Sequence, residues 1–202
     1  IDLRQEKADA VAECIRNETG KKAISIGIDS SNKVKMRASL KQVANELGSV
    51  DILINGAGIN APTPFLDITL DEFYAVMGSQ VTSTLIGCQV FGEHMLENGT
   101  GSIINISSAS AGPPLSKAFV YSVAKAGIKN LTQNLGREWA ENGVRVNAIR
   151  PGFFPTDWNR KNFITAEREA AILGHTPMKR YGEVSELVGA IIYLASDASS
   201  FV

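Results

Sequence analysis

Hydrophobic residues along the chain follow two alternating spacings. Over residues 5–17 the apolar positions recur three or four residues apart, which predicts an amphipathic helix. Apolar residues alternate with small or polar ones over 23–28, which is typical of a short strand. Further helices are predicted over 32–47, 70–97, 118–141, 165–173 and 185–195, and further strands over 51–54, 102–106 and 144–149.

Strands that alternate with helices and end at glycine-rich turns indicate a single α/β domain, in which a parallel sheet has helices on both faces. Ligands of such sheets bind beyond the carboxyl ends of the strands. Three turn sequences lie at those ends: Asn55-Gly56-Ala57-Gly58, Ser107-Ser108 and Pro151-Gly152. We therefore predict a functional site where these three turns meet.

Composition and charge argue against several functions. The 202 residues suit one domain, and 20 basic against 21 acidic side chains give a formal net charge of −1. A nearly neutral chain gives no support for a nucleic-acid or anionic-membrane partner, so we expect neither. No apolar run approaches the roughly 18–20 residues of a membrane span. Cys14, Cys88 and two histidines are too few for a disulfide framework or a metal site, so we expect no metal and a reducing, cytoplasmic compartment.

Tyr121 and Lys125 are the sharpest candidates for chemistry. Residues four apart lie on one face of a helix, and an ammonium beside a phenol is expected to lower the pKa of that phenol. Such a phenol can exchange a proton with a substrate oxygen. Ser108, thirteen positions before Tyr121, ends a predicted strand and could hydrogen-bond the same oxygen. The alternatives are a surface Tyr–Lys pair and a serine that only terminates a strand.

Taken together, these motifs resemble the short-chain dehydrogenase/reductase family, in its compact single-domain form, over nearly the whole chain. The segment 55–58 is similar to the family's N-N-A-G motif, with glycine in the second position. Ser108, Tyr121 and Lys125 match its Ser…Tyr-x-x-x-Lys signature. The segment 147–152 matches the strand that leads to its P-G turn.

The resemblance implies a Rossmann-like, doubly wound parallel sheet in one domain over 1–202. It also implies an oxidoreductase that interconverts a secondary alcohol and a ketone by hydride transfer with a nicotinamide cofactor. In such an enzyme Tyr121 would be the general acid/base, and Ser108 would orient the substrate oxygen. Lys125 would lower the pKa of the tyrosine and hold the nicotinamide ribose.

Asp2 favours NAD over NADP, because a carboxylate at the end of the second strand accepts hydrogen bonds from the ribose hydroxyls and repels a 2′-phosphate. Arg4 is the counter-argument, since a nearby arginine could accommodate that phosphate. The cofactor-binding residues implied by the resemblance are Asp2, Leu3, Asp29, Ser30, Asn55, Gly56, Ala57, Tyr121, Lys125, Pro151, Gly152 and Phe154.

The chain departs from the family pattern in two places. Gln80 stands where the family's proton relay has an asparagine, and we count it among the catalytic residues. Its extra methylene is either tolerated or changes a water relay and slows turnover. The family's T-G-x-x-x-G-x-G turn and its last strand are absent from these 202 residues. We therefore expect them to be part of a longer protein of roughly 250 residues, truncated at both ends.

The segment 153–182 is expected to form a lid over the substrate, and the sequence 151–161 looks like a subgroup that acts on sugar acids such as mannonate or gluconate. Cationic lid residues either bind a substrate carboxylate or are simply solvated. The lid carries Arg160, Lys161, His175, Lys179 and Arg180, with Trp158 and Phe163 among them, and Lys117 lies near the mouth.

Other functions stay open at this point. One is a non-catalytic remnant that keeps the fold as a scaffold, and another is an NADPH-dependent ketone or 3-oxoacyl reductase. An epimerase or dehydratase of the family's extended branch also uses Tyr-x-x-x-Lys, but the compact lid argues against it. Resembling enzymes form tetramers through helices that correspond to 70–97 and 118–141, so we expect a homotetramer or homodimer.

Overall fold

The computed structural model describes residues 1–113, 118–162 and 164–202. Lys117 and Phe163, predicted to lie at the mouth and in the lid, are outside the described residues, as is the side chain of Trp158. The sheet has three parallel strands in the order β1-β2-β3: Ile52–Asn55 (β1), Gly101–Ile106 (β2) and Val144–Ile149 (β3). The strands predicted over 51–54, 102–106 and 144–149 are thereby confirmed.

Helices connect and flank these strands, and some of them begin at a capping residue. The Asn32 side chain accepts a hydrogen bond from Lys35 N, and the Thr69 side chain accepts one from Glu72 N, which satisfies backbone donors at two helix starts. No helix in the described ranges is long and apolar enough to cross a membrane. The α-helices are Gln5–Thr19 (α1), Lys33–Leu47 (α2), Leu70–Met77 (α3), Ser83–Asn98 (α4), Phe119–Trp139 (α5), Asp157–Asn162 (α6), Ala166–His175 (α7) and Val188–Ala195 (α8).

The core lies between the sheet and the helices on its two faces. Helices α4 and α5 cover one face, where a fully buried cluster is formed by Cys88, Met95, Ile103, Val144 and Val146, with Leu135 and Trp139 packed against it. On the other face the Ser102 hydroxyl donates to Leu194 O of α8 at 2.8 Å. Burial of each large apolar side chain stabilises the fold by roughly 1.5–3 kcal/mol. This packing holds the carboxyl ends of the three strands at one edge.

The predicted strand over 23–28 is wrong as a member of this sheet. Gly27 forms one isolated parallel bridge with Asp2. Asp2 N donates to Ile26 O at 3.2 Å, and Ile28 N donates to Asp2 O at 2.8 Å. A strand requires a ladder of such pairs, and the neighbour here is only the short extended stretch before α1. Pairing depends on a distant partner, which the alternation within 23–28 does not reveal.

Two predicted helices differ in detail from the structure. The helix predicted over 70–97 is interrupted by a π turn, Gly78–Thr82, between α3 and α4. Such a turn widens the backbone locally and is frequent at functional sites. The helix predicted over 185–195 begins as a 3₁₀ turn, Val184–Leu187, because Glu183 forms a capping box there before α8 starts.

Candidate active site

The three predicted turns meet at the carboxyl edge of the sheet. Because the strands are parallel and in register, with Ile106 opposite Ile149, the residues that follow them lie side by side. Ala109 N donates to Pro151 O at 2.9 Å, which ties the turn after β2 to the turn after β3. The loop that begins at Asn55 leaves β1 beside them. The structure therefore brings the three predicted turns together at one edge of the sheet.

Ser108 and Tyr121 come together at this edge. Ser108 ends β2 in an extended conformation, and its hydroxyl oxygen accepts a hydrogen bond from Ser110 N at 3.2 Å. The same hydroxyl donates a hydrogen bond that favours the ionised form of the Tyr121 phenol. Ser108 is buried and Tyr121 half-buried, so their contact is shielded from most solvent. A substrate oxygen placed between them would meet two hydroxyl groups.

Lys125 lies one helical turn beyond Tyr121 on the same face of α5. Its Nζ is 5.5 Å from the centre of the Tyr121 ring and donates to Ile106 O at 2.6 Å. The Ser107 hydroxyl donates to the backbone carbonyl of Lys125 at 2.8 Å. These two bonds join the active face of α5 to the end of β2. The Lys125 side chain is therefore held where the strand ends, next to the phenol.

The expected lowering of the Tyr121 pKa by Lys125 is wrong for this structure. Burial raises the pKa of the phenol above its usual range, and the hydrogen bond from Ser108 only partly opposes that effect. Burial also lowers the pKa of Lys125 to about 8, because the ammonium loses its hydration. The sequence spacing predicted that the two residues lie together, but it could not show that loss of hydration is the main influence on both pKa values.

Gln80 is buried in the π turn and contacts the loop after β1. Its amide nitrogen donates to Ile59 O at 2.9 Å, and its amide oxygen has no protein partner. A methyl group added at Gly58 would overlap the Gln80 amide, so the loop approaches this side chain as closely as glycine allows. The backbone carbonyl of Gln80 accepts a hydrogen bond from the Thr84 hydroxyl at 2.7 Å. The geometry gives Gln80 a role in shaping the loop, and its predicted catalytic role stays a prediction.

A cleft of about 780 Å³ lies between the Asp2–Gly27 bridge and β1. The cleft brings together the cofactor residues predicted on this side of the sheet: Asp2, Leu3, Asp29, Ser30, Asn55, Gly56 and Ala57. The other predicted cofactor residues do not line this cleft: Tyr121, Lys125, Pro151, Gly152 and Phe154.

Two carboxylates in the cleft have different surroundings. Asp2 Oδ1 accepts a hydrogen bond from Arg4 N at 2.9 Å, and the residue is otherwise exposed. Asp29 accepts hydrogen bonds from the Ser31 backbone and hydroxyl at 2.8 and 2.7 Å, which lower the pKa of the Asp29 carboxyl. An ionised carboxylate with free acceptor positions at Asp2 suits the two hydroxyls of a ribose. These acceptor oxygens thus fit the adenosine part of a dinucleotide.

The segment after β3 folds back on itself. Gly182 N donates to Phe153 O at 3.1 Å, and a methyl group added at Gly182 would overlap the Phe154 ring. Phe153 also packs against Tyr181, with ring centres 5.6 Å apart. The two ends of the predicted lid, 153–182, are therefore joined beside the Pro151-Gly152 turn, and helices α6 and α7 lie between them.

The lid cations divide into two groups. Arg180 forms an ion pair with Glu186 at 2.6 Å, Lys179 donates to Gly174 O at 2.8 Å, and His175 Nδ1 lies 2.9 Å from Ala171 O. These three stabilise the lid itself. Arg160 and Lys161 are exposed on α6, and the Arg160 guanidinium lies 5.9 Å from the centre of the Tyr181 ring.

Some residues around the site were not predicted as part of it. Asn55 Nδ2 donates to Asn105 Oδ1 at 2.9 Å, and Asn105 Nδ2 donates to the Thr132 hydroxyl at 3.0 Å. This buried ladder runs from β1 through β2 to α5. Arg150, at the end of β3, donates to the carbonyl of Ser108. Asparagines at matching positions of two apolar strands were the signal that could have revealed the ladder.

A doubly wound sheet whose strand ends carry this Ser–Tyr–Lys arrangement beside an exposed carboxylate defines an NAD(P)-dependent oxidoreductase that acts on CH–OH groups. A family model described as enoyl-(acyl carrier protein) reductase matches residues 1–202. The chain belongs to the short-chain dehydrogenase/reductase family. No group of three or more potential metal-ligating side chains occurs within the described ranges.

The chain matches curated and solved relatives over most of their length. An uncharacterized oxidoreductase of Bacillus subtilis is 35% identical over 99% of this chain and 79% of its own. The 2-dehydro-3-deoxy-D-gluconate 5-dehydrogenase of Formosa agariphila is 34% identical over 98% of this chain and 75% of its own. A solved gluconate 5-dehydrogenase of Burkholderia cenocepacia, in complex with NADP and tartrate, is 32% identical, with a TM-score of 0.93 over 100% of this chain and 79% of its own. The predicted resemblance to a sugar-acid subgroup is confirmed.

Proposed function

We propose that this chain interconverts a secondary alcohol and a ketone of a sugar acid, with NAD as the hydride carrier and Tyr121 as the acid/base. The observation that carries the proposal is that Ser108, Tyr121 and Lys125 come together where β2 ends, with Lys125 Nζ 5.5 Å from the centre of the Tyr121 ring. A scaffold has no need of these three polar groups in a shielded position, whereas alcohol oxidation needs all of them.

Each residue has a distinct role in the oxidation direction. Ser108 donates a hydrogen bond to the substrate oxygen. Tyr121, as the phenolate, takes the proton of the substrate hydroxyl. Lys125, one helical turn from the phenol, is placed to hydrogen-bond the nicotinamide ribose. The nicotinamide supplies hydride chemistry when bound. In the reduction direction the same phenol returns the proton to the carbonyl oxygen.

Asp2 supports NAD as the cofactor. Its carboxylate lines the cleft and would accept hydrogen bonds from the 2′- and 3′-hydroxyls of the adenosine ribose. A 2′-phosphate would face the same negative charge at close range. The Burkholderia relative was solved with NADP, so the preference has to come from this chain's own Asp2 and Arg4.

Arg160 and Lys161 support an acidic substrate. They are exposed cations of the lid, and among the described residues neither side chain donates to a lid carbonyl in the way that Lys179 does. The names of the relatives include gluconate and a dehydro-deoxy-gluconate, which carry a carboxylate at one end. An arginine can hold such a carboxylate through two parallel hydrogen bonds.

A matched pair of substrates tests this proposal. The purified protein is assayed for NADH formation with gluconate and with sorbitol, which has the same carbon chain but no carboxylate. We expect kcat/KM for gluconate, or for another aldonate or uronate in the panel, to exceed that of its neutral counterpart by tenfold or more, about 1.4 kcal/mol. Equal values would overturn the sugar-acid assignment, and turnover retained by Tyr121→Phe would overturn the mechanism.

Exposed aromatic residues support self-association as part of the same proposal. Phe65 and Phe119 contact each other with ring centres 5.4 Å apart, although both are largely exposed. Leu70 and Tyr74 of α3 and Val123 of α5 are also exposed. An apolar patch of this kind on α3 and α5 favours contact with a second copy. Sedimentation of the wild type and of Phe119→Asp tests it: the proposal fails if the wild type sediments as a monomer.

A further inference from the structure

Arg150 connects the end of β3 to the turn that carries Ser108. Its Nε donates to Ser108 O at 3.2 Å, and its Nη2 donates to Ala109 O at 3.3 Å. An added methyl group at Gly112 would lie 2.7 Å from Nη2, so the guanidinium occupies space that only a glycine leaves free. The side chain thus reaches across 42 positions of sequence to the backbone of the candidate catalytic serine.

The two carbonyls that Arg150 holds also close the turn at 108–112. Ala111 N donates to Ser108 O and Gly112 N donates to Ala109 O, each at 3.1 Å. A carbonyl oxygen has two acceptor positions, so the backbone fills one and Arg150 fills the other. The planar guanidinium matches two neighbouring carbonyls, which a single ammonium cannot do. Arg150 is the side-chain clamp on this turn.

We propose that Arg150 is a positioning residue for the reaction: its guanidinium fixes the turn at 108–112 so that the Ser108 hydroxyl faces Tyr121. The inference rests on the proposed function of Ser108 as the donor to the substrate oxygen. Without the clamp the turn keeps its own hydrogen bonds and the bond from Ala109 N to Pro151 O, but it loses the side-chain contact from the end of β3. Displacement of a catalytic group by about an ångström is enough to lower turnover strongly.

Kinetics of Arg150→Met and Arg150→Lys test the catalytic part. We expect kcat to fall by roughly tenfold or more in both variants, while the KM for NAD changes less than twofold. Arg145→Met is the matched control, because Arg145 lies on the same strand and donates to the Ser199 hydroxyl and to Ser196 O, away from the turn. The control should keep the wild-type kcat.

A double-mutant cycle separates positioning from general stability. In a Ser108→Ala background the hydroxyl that Arg150 positions is gone, so adding Arg150→Met should lower kcat by less than twofold further. Losses that multiply in the double variant would overturn the proposal. An unchanged kcat in Arg150→Met would overturn it as well.

Hydrogen exchange tests the clamp without any substrate. The amides of Ala111 and Gly112 should exchange at least fivefold faster in Arg150→Met than in the wild type or in Arg145→Met. Equal exchange would overturn the clamp whatever the activity. If the wild type turned over no substrate of the panel, the proposed function would fail, and the exchange rates would still decide whether Arg150 holds the turn.

Discussion

The Ser108 hydroxyl acts on the Tyr121 phenol, although Ser108 follows a strand and Tyr121 lies in the first turn of a helix. A substrate oxygen would enter the site between these two hydroxyl groups. The Ser108 hydroxyl favours the ionised phenol, whereas burial raises the pKa of Tyr121. The acid/base function of the tyrosine therefore depends on the serine.

Tyr121→Phe should abolish most turnover and leave cofactor binding intact. The substitution removes the acid/base hydroxyl and keeps the ring, and general acid–base catalysis contributes roughly 10²–10⁴-fold to rate. We expect kcat to fall by a factor in that range, with the Kd for NADH, measured by fluorescence titration, unchanged within about twofold. A comparable loss of NADH affinity would assign Tyr121 to binding instead.

The burial of Lys125 predicts a specific dependence of stability on pH. The pKa of Lys125 is about 8 in the folded protein against 10.5 for an ordinary lysine, so between these values the unfolded chain binds more protons than the folded one. Stability relative to Lys125→Met should therefore rise with pH across this window, by roughly 3 kcal/mol in total. The cost of burying the ammonium is fully present below pH 8.

Urea unfolding of the wild type and Lys125→Met, at pH values on either side of that window, measures the effect. Lys41→Met, which changes an exposed lysine of α2, is the control and should show no comparable rise. A constant difference between the wild type and Lys125→Met across the window would contradict the burial argument.

Asp2→Ala should shift cofactor preference towards NADP. The substitution removes the carboxylate that would bind the ribose diol and repel a 2′-phosphate, while Arg4 remains nearby. We expect the ratio of kcat/KM for NADP to that for NAD to rise by about tenfold or more, roughly 1.4 kcal/mol. Glu6→Ala removes an equal charge from the start of α1 and should leave the ratio unchanged.

Gln80→Ala should loosen the loop after β1. The variant leaves Ile59 O without its side-chain donor and creates a cavity beside Gly58, so we expect a loss of about 2–3 kcal/mol in unfolding free energy. The KM for NAD should rise more than kcat falls, since the loop lines the cofactor cleft. If kcat alone fell and its pH profile shifted, the relay role predicted for Gln80 would be favoured.

Local patterns in the sequence predicted the strands of the sheet and the place of the site, because periodicity and turn residues act over a few positions. They failed where the outcome depends on distant neighbours. The segment 23–28 has strand-like alternation but only one bridge, and the pKa of Tyr121 follows burial that no spacing of residues reports. The bond from Arg150 to Ser108 spans 42 positions and has no local signal.

Asn105→Ala should raise the KM for NAD more than it lowers kcat. Asn105 is fully buried and receives the Asn55 amide on one side while it donates to Thr132 on the other. The substitution removes one hydrogen bond from each partner, although Asn55 keeps its weaker contact with Cys88 Sγ and Thr132 keeps its bond to Ile128 O. We therefore expect a loss of about 1–3 kcal/mol in the free energy of unfolding.

Because Asn55 begins the loop that lines the cleft, the KM for NAD should rise severalfold in Asn105→Ala. The value of kcat at saturating cofactor should stay near that of the wild type, because Ser108 is held by its own turn and by Arg150. Thr132→Val is the paired variant: it removes the far end of the ladder and keeps the Asn55–Asn105 bond. A larger effect of Thr132→Val than of Asn105→Ala on the KM for NAD would mean that the ladder acts through α5 rather than through β1.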